Sequence, residues 1–328
     1  MSTSIGTNVN TMKWLIKREF WEHKGGFFWA PIVVGAILVC LFILPAMIGL
    51  FSGGGVFQVN GISITALVSD MAVADKERLG QTIADRYLGA SAPLFAVLAF
   101  VGFFYSLNTL FDERKDRSIL FWKSLPISDS KTVLAKVFFV LGIAPVIAVI
   151  CAVILSLTVL FLAGILAMSK GINLLGYVLS NPSFYAGPVY LFAMIPIYLL
   201  WALPTVGWLL LVGAWAKGKP IVWAVGAPIL AVGLIAWVNK IFELGWDTNW
   251  LWSNIIVRGL FSILPGSWLS SSSDGLNPHA QNIGSNSSEI MFTQALQQLG
   301  TANLWIGVFV GAAFIYAAIR VRRWKDEG

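Results

Sequence analysis

The sequence predicts an all-α polytopic membrane protein with six transmembrane helices. Of its 328 residues, 57% are hydrophobic and only 12% are charged, whereas soluble globular domains carry about 25% charged residues. The mean hydropathy is +0.78, and the 22 Phe and 15 Trp residues are typical of spans and their interfacial anchors. This composition argues against a disordered protein, a nucleic-acid-binding protein and an ordinary cytosolic enzyme.

Six apolar stretches can cross a hydrocarbon core of about 30 Å, which needs roughly 20 helical residues. Their predicted limits are 28–51, 93–111, 137–168, 189–216, 221–238 and 304–319. None contains Asp, Glu, Lys, Arg or His, which removes the usual machinery of ion-coupled antiport. The fourth stretch is predicted to start at 189, because Asn181, Pro182 and the pair Gly187-Pro188 indicate a loop before it.

The basic residues fall mostly on one set of connecting segments, and this bias predicts the orientation of the chain. The two terminal segments, 112–136 and 217–220 hold 16 of the 22 Lys and Arg residues, and the alternate segments hold 6. By the positive-inside rule, both termini are expected in the cytoplasm. The first apolar stretch is too long for a cleavable signal peptide. We expect a single transmembrane domain, 1–328, in a bacterial inner membrane.

Amphipathic segments lie between and before the spans. Residues 12–27 predict a helix in the cytoplasmic interface, with a simple positive-inside anchor as the alternative. The outer loop 52–91 contains a predicted helix with one apolar and one charged face. In the outer loop 239–303, the run 252–264 predicts an interfacial or re-entrant helix, because Arg258 in mid-run argues against a seventh span.

The segment 112–136, between the second and third spans, carries charge at both ends and apolar side chains in its middle. The apolar residues are Ile119, Leu120, Phe121, Trp122 and Leu125. Pro126 ends this predicted short helix, because proline cannot donate an interior hydrogen bond, and Ser128 is predicted as the N-cap of the next helix. An apolar surface held between two spans needs a cover, from lipid headgroups or from a partner protein.

This segment resembles the membrane subunit of ABC-2 type transporters. The similar residues are Glu113-Arg114 after the second span, the Ser118-Ile-Leu run, and Leu125-Pro-Ile-Ser128 before the third span. In architecture the resemblance extends to the whole chain: an amphipathic N-terminal helix, six spans, cytoplasmic termini and a re-entrant outer segment. At the motif level it covers 110–136 only, and Ser118 stands where the family often has a Gly-Thr step.

The resemblance implies a permease that works with a separate ATPase subunit, which binds ATP and Mg, and with a second permease copy or paralogue in the membrane lipid. The permease itself then has no catalytic residue, cofactor or metal. The residues implied in ATPase coupling are Glu113, Arg114, Ile119, Leu120, Trp122, Leu125 and Pro126. For Glu113 and Arg114, which would brace the base of the second span, the alternative is a solvated charged end. The substrate stays open among lipid, peptide, glycan and drug-like compounds. The alternative function is an ATP-independent carrier or a scaffold subunit of a membrane complex.

The sequence contains no convincing P-loop and no cysteine pattern typical of a metal site or a disulfide framework. Residues 213–220 read Gly-x4-Gly-Lys-Pro, but Pro220 stands where a P-loop needs Ser or Thr for Mg²⁺. ATP hydrolysis is therefore expected on another chain. Cys40 and Cys151 lie in apolar stretches and predict neither a metal site nor a disulfide framework.

Two further patterns lie inside the spans. Trp201, Trp208 and Trp215 recur every seven residues on nearly one face of the fourth span. They either line a translocation path for an amphipathic substrate or pack against other helices and lipid. Gly307 and Gly311 form a Gly-x-x-x-Gly motif in the sixth span, which permits close helix packing.

Overall fold

The chain is almost entirely helical in the computed structural model, which describes residues 3–51, 58–59, 62–63, 73–118, 124, 127–169, 171–268 and 288–324. In chain order the helices are α1 Thr3–Lys24, α2 Ala30–Phe51, α3 Val73–Arg86, α4 Ala92–Lys115, α5 Asp129–Phe138, α6 Ala144–Met168, α7 Leu174–Leu179, α8 Pro182–Ala193, α9 Ile195–Trp215, α10 Ala227–Phe242, α11 Thr248–Leu251, α12 Arg258–Phe261, α13 Ser288–Gln298 and α14 Ala302–Trp324. Short π-helical turns at Gly25–Trp29, Phe139–Ile143, Val222–Gly226 and Trp252–Val257, and a 3₁₀ turn at Tyr87–Ser91, join neighbouring helices. Two-residue strands, β1 Gln58–Val59 and β2 Ile62–Ser63, pair antiparallel with Gln58 opposite Ser63 and Val59 opposite Ile62.

Six helical stretches within the described residues are long and apolar enough to cross a membrane, which confirms the predicted number. These stretches are Thr11–Pro45, Asp75–Lys115, Asp129–Met168, Pro182–Trp215, Val222–Phe242 and Ala302–Trp324. Each overlaps one of the predicted apolar stretches. Many large apolar side chains on their outer surfaces are exposed, which is the arrangement expected of a protein whose solvent is lipid.

Helix α9 lies at the centre of the bundle and packs against α4 on one side and α14 on the other. Glycines make both approaches close. A Cβ atom on Gly207 would lie 2.6 Å from the carbonyl oxygen of Gly311 in α14, and one on Gly213 would lie 2.5 Å from that of Leu107 in α4. Real Cβ atoms essentially never come so near to backbone, so glycine is required at these contacts.

The fourth spanning stretch begins earlier than residue 189, where the sequence analysis places its start. Asn181 is the N-cap of α8, and its side-chain oxygen accepts a hydrogen bond from the backbone N–H of Ser183 at 2.9 Å. Pro182 occupies the first helical position, where the missing N–H costs nothing, and Pro188 lies inside the helix. The Asn-Pro pair is thus a helix start, and the predicted loop before the span is shorter.

The shorter helices α3 and α7 pack against each other. Helix α3 lies within segment 52–91, where the amphipathic pattern predicts a helix, and its Gly80 lies against Tyr177 of α7. The hydroxyl of Tyr87, just after α3, donates a hydrogen bond to the carbonyl of Phe184 at 3.0 Å. These contacts join α3 to α7 and the segment after α3 to α8.

Candidate functional site

Charged side chains from α1, α4, α5 and α14 meet at one end of the bundle. We call this the ionic cluster, and its core consists of Glu19, Glu113, Lys136 and Arg322. Glu19 and Lys136 are each 1% exposed, Arg322 is 3% exposed and Glu113 is 9% exposed. Charged groups buried to this extent require partners, and each finds them within the cluster.

Lys136 is the centre of the cluster. Its Nζ lies 2.8 Å from a carboxylate oxygen of Glu19 and 2.9 Å from one of Glu113, and it donates a hydrogen bond to the hydroxyl of Thr109 at 2.8 Å. An ammonium group has three donors, so three partners satisfy it. The second oxygen of Glu19 accepts a hydrogen bond from the Tyr105 hydroxyl at 2.8 Å.

Arg322 joins the end of α4 to the start of α5. Its Nη1 donates to the carboxylate of Glu113, and its Nε donates to Asp129 at 3.1 Å. Glu113 stands in the last turn of α4 and Asp129 in the first turn of α5. The two ends of the intervening segment are therefore tied to each other through one guanidinium group on α14.

Arg18 adds a further contact from α1, since its Nη2 lies 2.8 Å from Glu19 and 3.3 Å from Glu113. Glu113 lies two residues beyond the predicted apolar stretch 93–111, in the last turn of α4. Burial alone raises the pKa of this carboxyl, but the Lys136 ammonium and the Arg322 guanidinium outweigh burial and hold the pKa at about 2. The two cations thus stabilise the ionised carboxylate of Glu113.

Glu113 and Arg114 are adjacent in sequence but bond in different directions. Arg114 Nη2 donates to the carbonyl oxygens of Gly213 and Ala216, both at 2.7 Å. These carbonyls lie at the C-terminal end of α9, where no helical N–H is left to satisfy them. The pair therefore attaches the base of α4 to α9 through Arg114 and to α5 and α14 through Glu113, and Glu113 is not a solvated end.

The other predicted coupling residues, Ile119, Leu120, Trp122, Leu125 and Pro126, lie outside the described residues. Their flanks are described. Ser118 Oγ donates to the carbonyl of Glu113 at 3.2 Å. Ser128 Oγ accepts from the backbone N–H of Lys131 at 3.4 Å, which confirms the predicted N-cap of α5.

The three tryptophans of α9 have three different surroundings. Trp201 is buried and donates to Ser267 Oγ at 2.9 Å, whereas Trp208 is half-buried and donates to the carbonyl of Ala224 at 2.9 Å. Trp215 is exposed and packs edge-on against Trp223. Shared helical spacing places them on one face, but they do not line one continuous surface.

Of these three tryptophans, Trp208 alone lines a cavity of about 620 Å³ between α9, α10, α14 and the run Trp252–Phe261. Its walls are mainly apolar and include Pro204, Pro228, Ile306 and Phe314. Arg258 supplies a charged side chain in this lining. The cavity falls within the 300–1,000 Å³ range that is typical of small-molecule sites.

The two glycines of the predicted packing motif make different contacts within the chain. A Cβ atom on Gly311 would lie 2.7 Å from the backbone of Leu203 and Pro204 in α9, so Gly311 serves close helix packing. A Cβ atom on Gly307 would fall against the guanidinium group of Arg258. Gly307 therefore leaves space for that side chain.

One group of side chains near the ionic cluster has ligand atoms close enough for a metal ion. Glu19, Glu22 and His23 bring one ligand atom each within 4.8 Å of one another. However, Arg18 lies 2.8 Å from Glu19 and 3.2 Å from Glu22. Because cations of the protein already hold these carboxylates, we assign no metal to this group.

Sequence reasoning missed the ionic cluster as a unit, although one signal pointed to it. Leu15 and Glu19 are four residues apart and share the buried face of α1. A carboxylate on the apolar stripe of an amphipathic helix indicates a buried cation as its partner. No family model, curated protein or solved structure matches this chain, so its function is inferred from its residues and their geometry.

Proposed function

We propose that this chain is the membrane-spanning permease subunit of an ABC-2 type transporter, driven by ATP hydrolysis on a separate ATPase subunit. The chain would lie in a bacterial inner membrane with both termini in the cytoplasm. It would pair with a second permease copy or paralogue, and it would export a lipid, peptide, glycan or drug-like compound. The segment 119–126 would be the coupling helix that docks on the ATPase.

One observation carries this proposal, namely the attachment of both flanks of 119–126 to the ionic cluster. Arg322 bonds to Glu113 before the segment and to Asp129 after it, and Lys136 adds Glu19 of α1. A force applied to the segment by a docked partner would thus reach α1, α4, α5 and α14 together. A loop without such braces would absorb the displacement instead. Rigid attachment is what a coupling element between an ATPase and a set of spans requires.

The run that contains Arg258 also supports the proposal, because it reaches the middle of α9. Thr205, halfway along α9, donates a hydrogen bond to the carbonyl of Arg258 at 3.3 Å. Tyr198, one turn from the start of α9, donates to the carbonyl of Ile263 at 2.8 Å. A segment that meets the middle of a spanning helix fits a re-entrant geometry better than a surface helix.

The proposed topology predicts on which side of the membrane Ser118 and Ser272 lie. In a background with Cys40→Ala and Cys151→Ala, we expect Ser118→Cys to react with an impermeant thiol reagent only in inverted vesicles. Ser272→Cys should react in intact cells, because the positive-inside rule predicts segment 112–136 inside and 239–303 outside. Labelling of both positions in intact cells would contradict the six-span arrangement.

The coupling role predicts that Trp122→Ala weakens binding of the ATPase subunit roughly thirtyfold or more. Aromatic anchors often dominate interface energy, and their truncation costs about 2 kcal/mol or more, with a factor of ten for each 1.4 kcal/mol. Leu125→Asp should have at least this effect, because docking would bury an unpaired carboxylate. Binding is measured by pull-down with an ABC ATPase that co-purifies with the wild-type chain, and coupled turnover by ATP hydrolysis in nanodiscs.

A matched control is Trp237→Ala, which removes an exposed tryptophan on α10 and should leave ATPase binding unchanged. If Trp122→Ala and Leu125→Asp both bind and hydrolyse normally, the segment is not a coupling helix. Failure of any ATPase to co-purify with the wild-type chain would favour an ATP-independent carrier or scaffold.

A further inference from the structure

Arg258 is a charged side chain held in apolar surroundings. It lies in the run Trp252–Phe261, at the level of the middle of α9, and its guanidinium carbon is 4.6 Å from the centre of the Trp201 ring. The ring face stabilises one side of the cation. A charge at such a depth in a membrane protein is costly and normally marks a functional contact.

The hydrogen-bonding capacity of Arg258 is only partly used. Its Nη1 donates to the side-chain oxygen of Asn303, whereas Nε and Nη2 are buried and have no hydrogen-bond partner. Within the part of the chain that the structure describes, no carboxylate forms an ion pair with Arg258. Nε and Nη2 lie on the same edge of the guanidinium group, and this edge is the one that binds two oxygens of a phosphate or carboxylate at once.

The cavity beside Arg258 suits the rest of such a ligand. Its apolar walls come from three spanning helices, and its volume is about 620 Å³. Ile306 and Val310 of α14 line it and are themselves exposed on the outer surface of the bundle. Because these side chains both line the cavity and are exposed, the cavity opens to the surface of the bundle, where we expect hydrocarbon.

We propose that this cavity binds an anionic amphiphile, with its phosphate or carboxylate group against the guanidinium group of Arg258 and its hydrocarbon tail along the apolar walls. The anion neutralises the half-buried cation through charge-assisted hydrogen bonds, which neither water nor an uncharged lipid does as well. Arginine fits this role better than lysine, because its planar fork matches two oxygens and stacks on an aromatic ring. The site holds whether or not the chain works with an ATPase.

Gly307 of α14 packs against the guanidinium group of Arg258. A Cβ atom at this position would lie close against Nη2 of Arg258 and 3.1 Å from its Cζ. The helix α14 therefore leaves space for the guanidinium group only because residue 307 has no side chain. An alanine there would press the cation away from its position beside Trp201.

The test is lipid binding to the full-length chain in an uncharged detergent, followed by native mass spectrometry. The probes are phosphatidic acid, diacylglycerol with the same acyl chains, and inorganic phosphate as a competitor. We expect phosphatidic acid to bind at least about tenfold more tightly than diacylglycerol, as one well-placed charged contact corresponds to about one factor of ten. Inorganic phosphate alone should not displace it, since the tail contributes to binding.

Two variants and one control assign the effect to this site. Arg258→Gln should reduce the preference for phosphatidic acid over diacylglycerol to about onefold, and Gly307→Ala should reduce it in the same direction. Arg258→Lys keeps the charge and should retain part of the preference. Arg78→Gln, which removes an exposed arginine of α3, should change nothing. A preference that survives Arg258→Gln, or displacement by inorganic phosphate alone, would overturn the proposal. ATPase binding by Arg258→Gln is expected to be normal, so this result is separable from the coupling test.

Discussion

Replacement of Lys136 by methionine is expected to lower the free energy of unfolding by about 3–5 kcal/mol, the usual cost of removing one partner from a buried ion pair. The methionine side chain fills similar space, so the loss is electrostatic rather than steric. It leaves the carboxylates of Glu19 and Glu113 facing each other without the ammonium that lies 2.8 and 2.9 Å from them. Arg18 and Arg322 remain near these carboxylates, and their charges limit the loss of stability.

The measurement is unfolding of the detergent-solubilised chain by added SDS, followed by circular dichroism. The matched control is Lys217→Met, which removes an exposed lysine after α9 and is expected to change stability by less than about 0.5 kcal/mol. A second variant, Glu19→Gln, combined with Lys136→Met, closes a double-mutant cycle. The two changes should be non-additive by about 0.5–3 kcal/mol, as for residues of one network. A loss below about 1 kcal/mol for Lys136→Met would show that the ionic cluster does not stabilise the bundle.

Replacement of Gly311 by leucine is expected to cost about 3 kcal/mol or more, or to prevent recovery of folded protein. Its Cβ atom would lie 2.7 Å from backbone atoms of Leu203 and Pro204, and backbone cannot move aside as a side-chain tip can. Overpacking by a few methylene groups typically costs about 1–3 kcal/mol and occasionally more. Here the inserted atoms would force α14 away from α9, the most buried helix of the bundle.

A graded series makes this prediction sharper. Gly311→Ala should fall between the wild type and Gly311→Leu in the same SDS unfolding assay. Gly233→Leu is the matched control, because a Cβ atom at this exposed position of α10 meets nothing within 4 Å. Equal losses for Gly311→Leu and Gly233→Leu would mean that helix propensity or insertion, and not the contact between α9 and α14, determines the effect.

The candidate site was predicted only in part, and the reason lies in how charges find partners. Glu113 and Arg114 stand out in sequence as a charged pair after a span, which suggests that they act together. In the structure each bonds to a different helix, because their side chains leave α4 about 100° apart. Which cation meets Glu113 depends on the rotation and tilt of α5 and α14, and hydropathy carries no information on either.

The tryptophan pattern was likewise predictable from the sequence only in part. A repeat of seven residues places Trp201, Trp208 and Trp215 near one face of α9. That face runs past Ser267 at one point, past Ala224 at another and onto the exposed surface at the end. Periodicity therefore identified a shared face, whereas the neighbours packed along it decided what each ring contacts.

Hydropathy along the chain was by itself sufficient to predict six spanning helices. A backbone in hydrocarbon must satisfy its own hydrogen bonds, so each apolar stretch of about 20 residues becomes a helix regardless of its neighbours. Local chemistry was likewise sufficient for the N-cap at Ser128. The ionic cluster and the pairing of Gly207 with Gly311 were decided only by tertiary structure, because they join residues far apart in the chain. Arg258 is the mixed case: its position in mid-run argued against a seventh span, and only the packing of α9, α10 and α14 placed a cavity beside it.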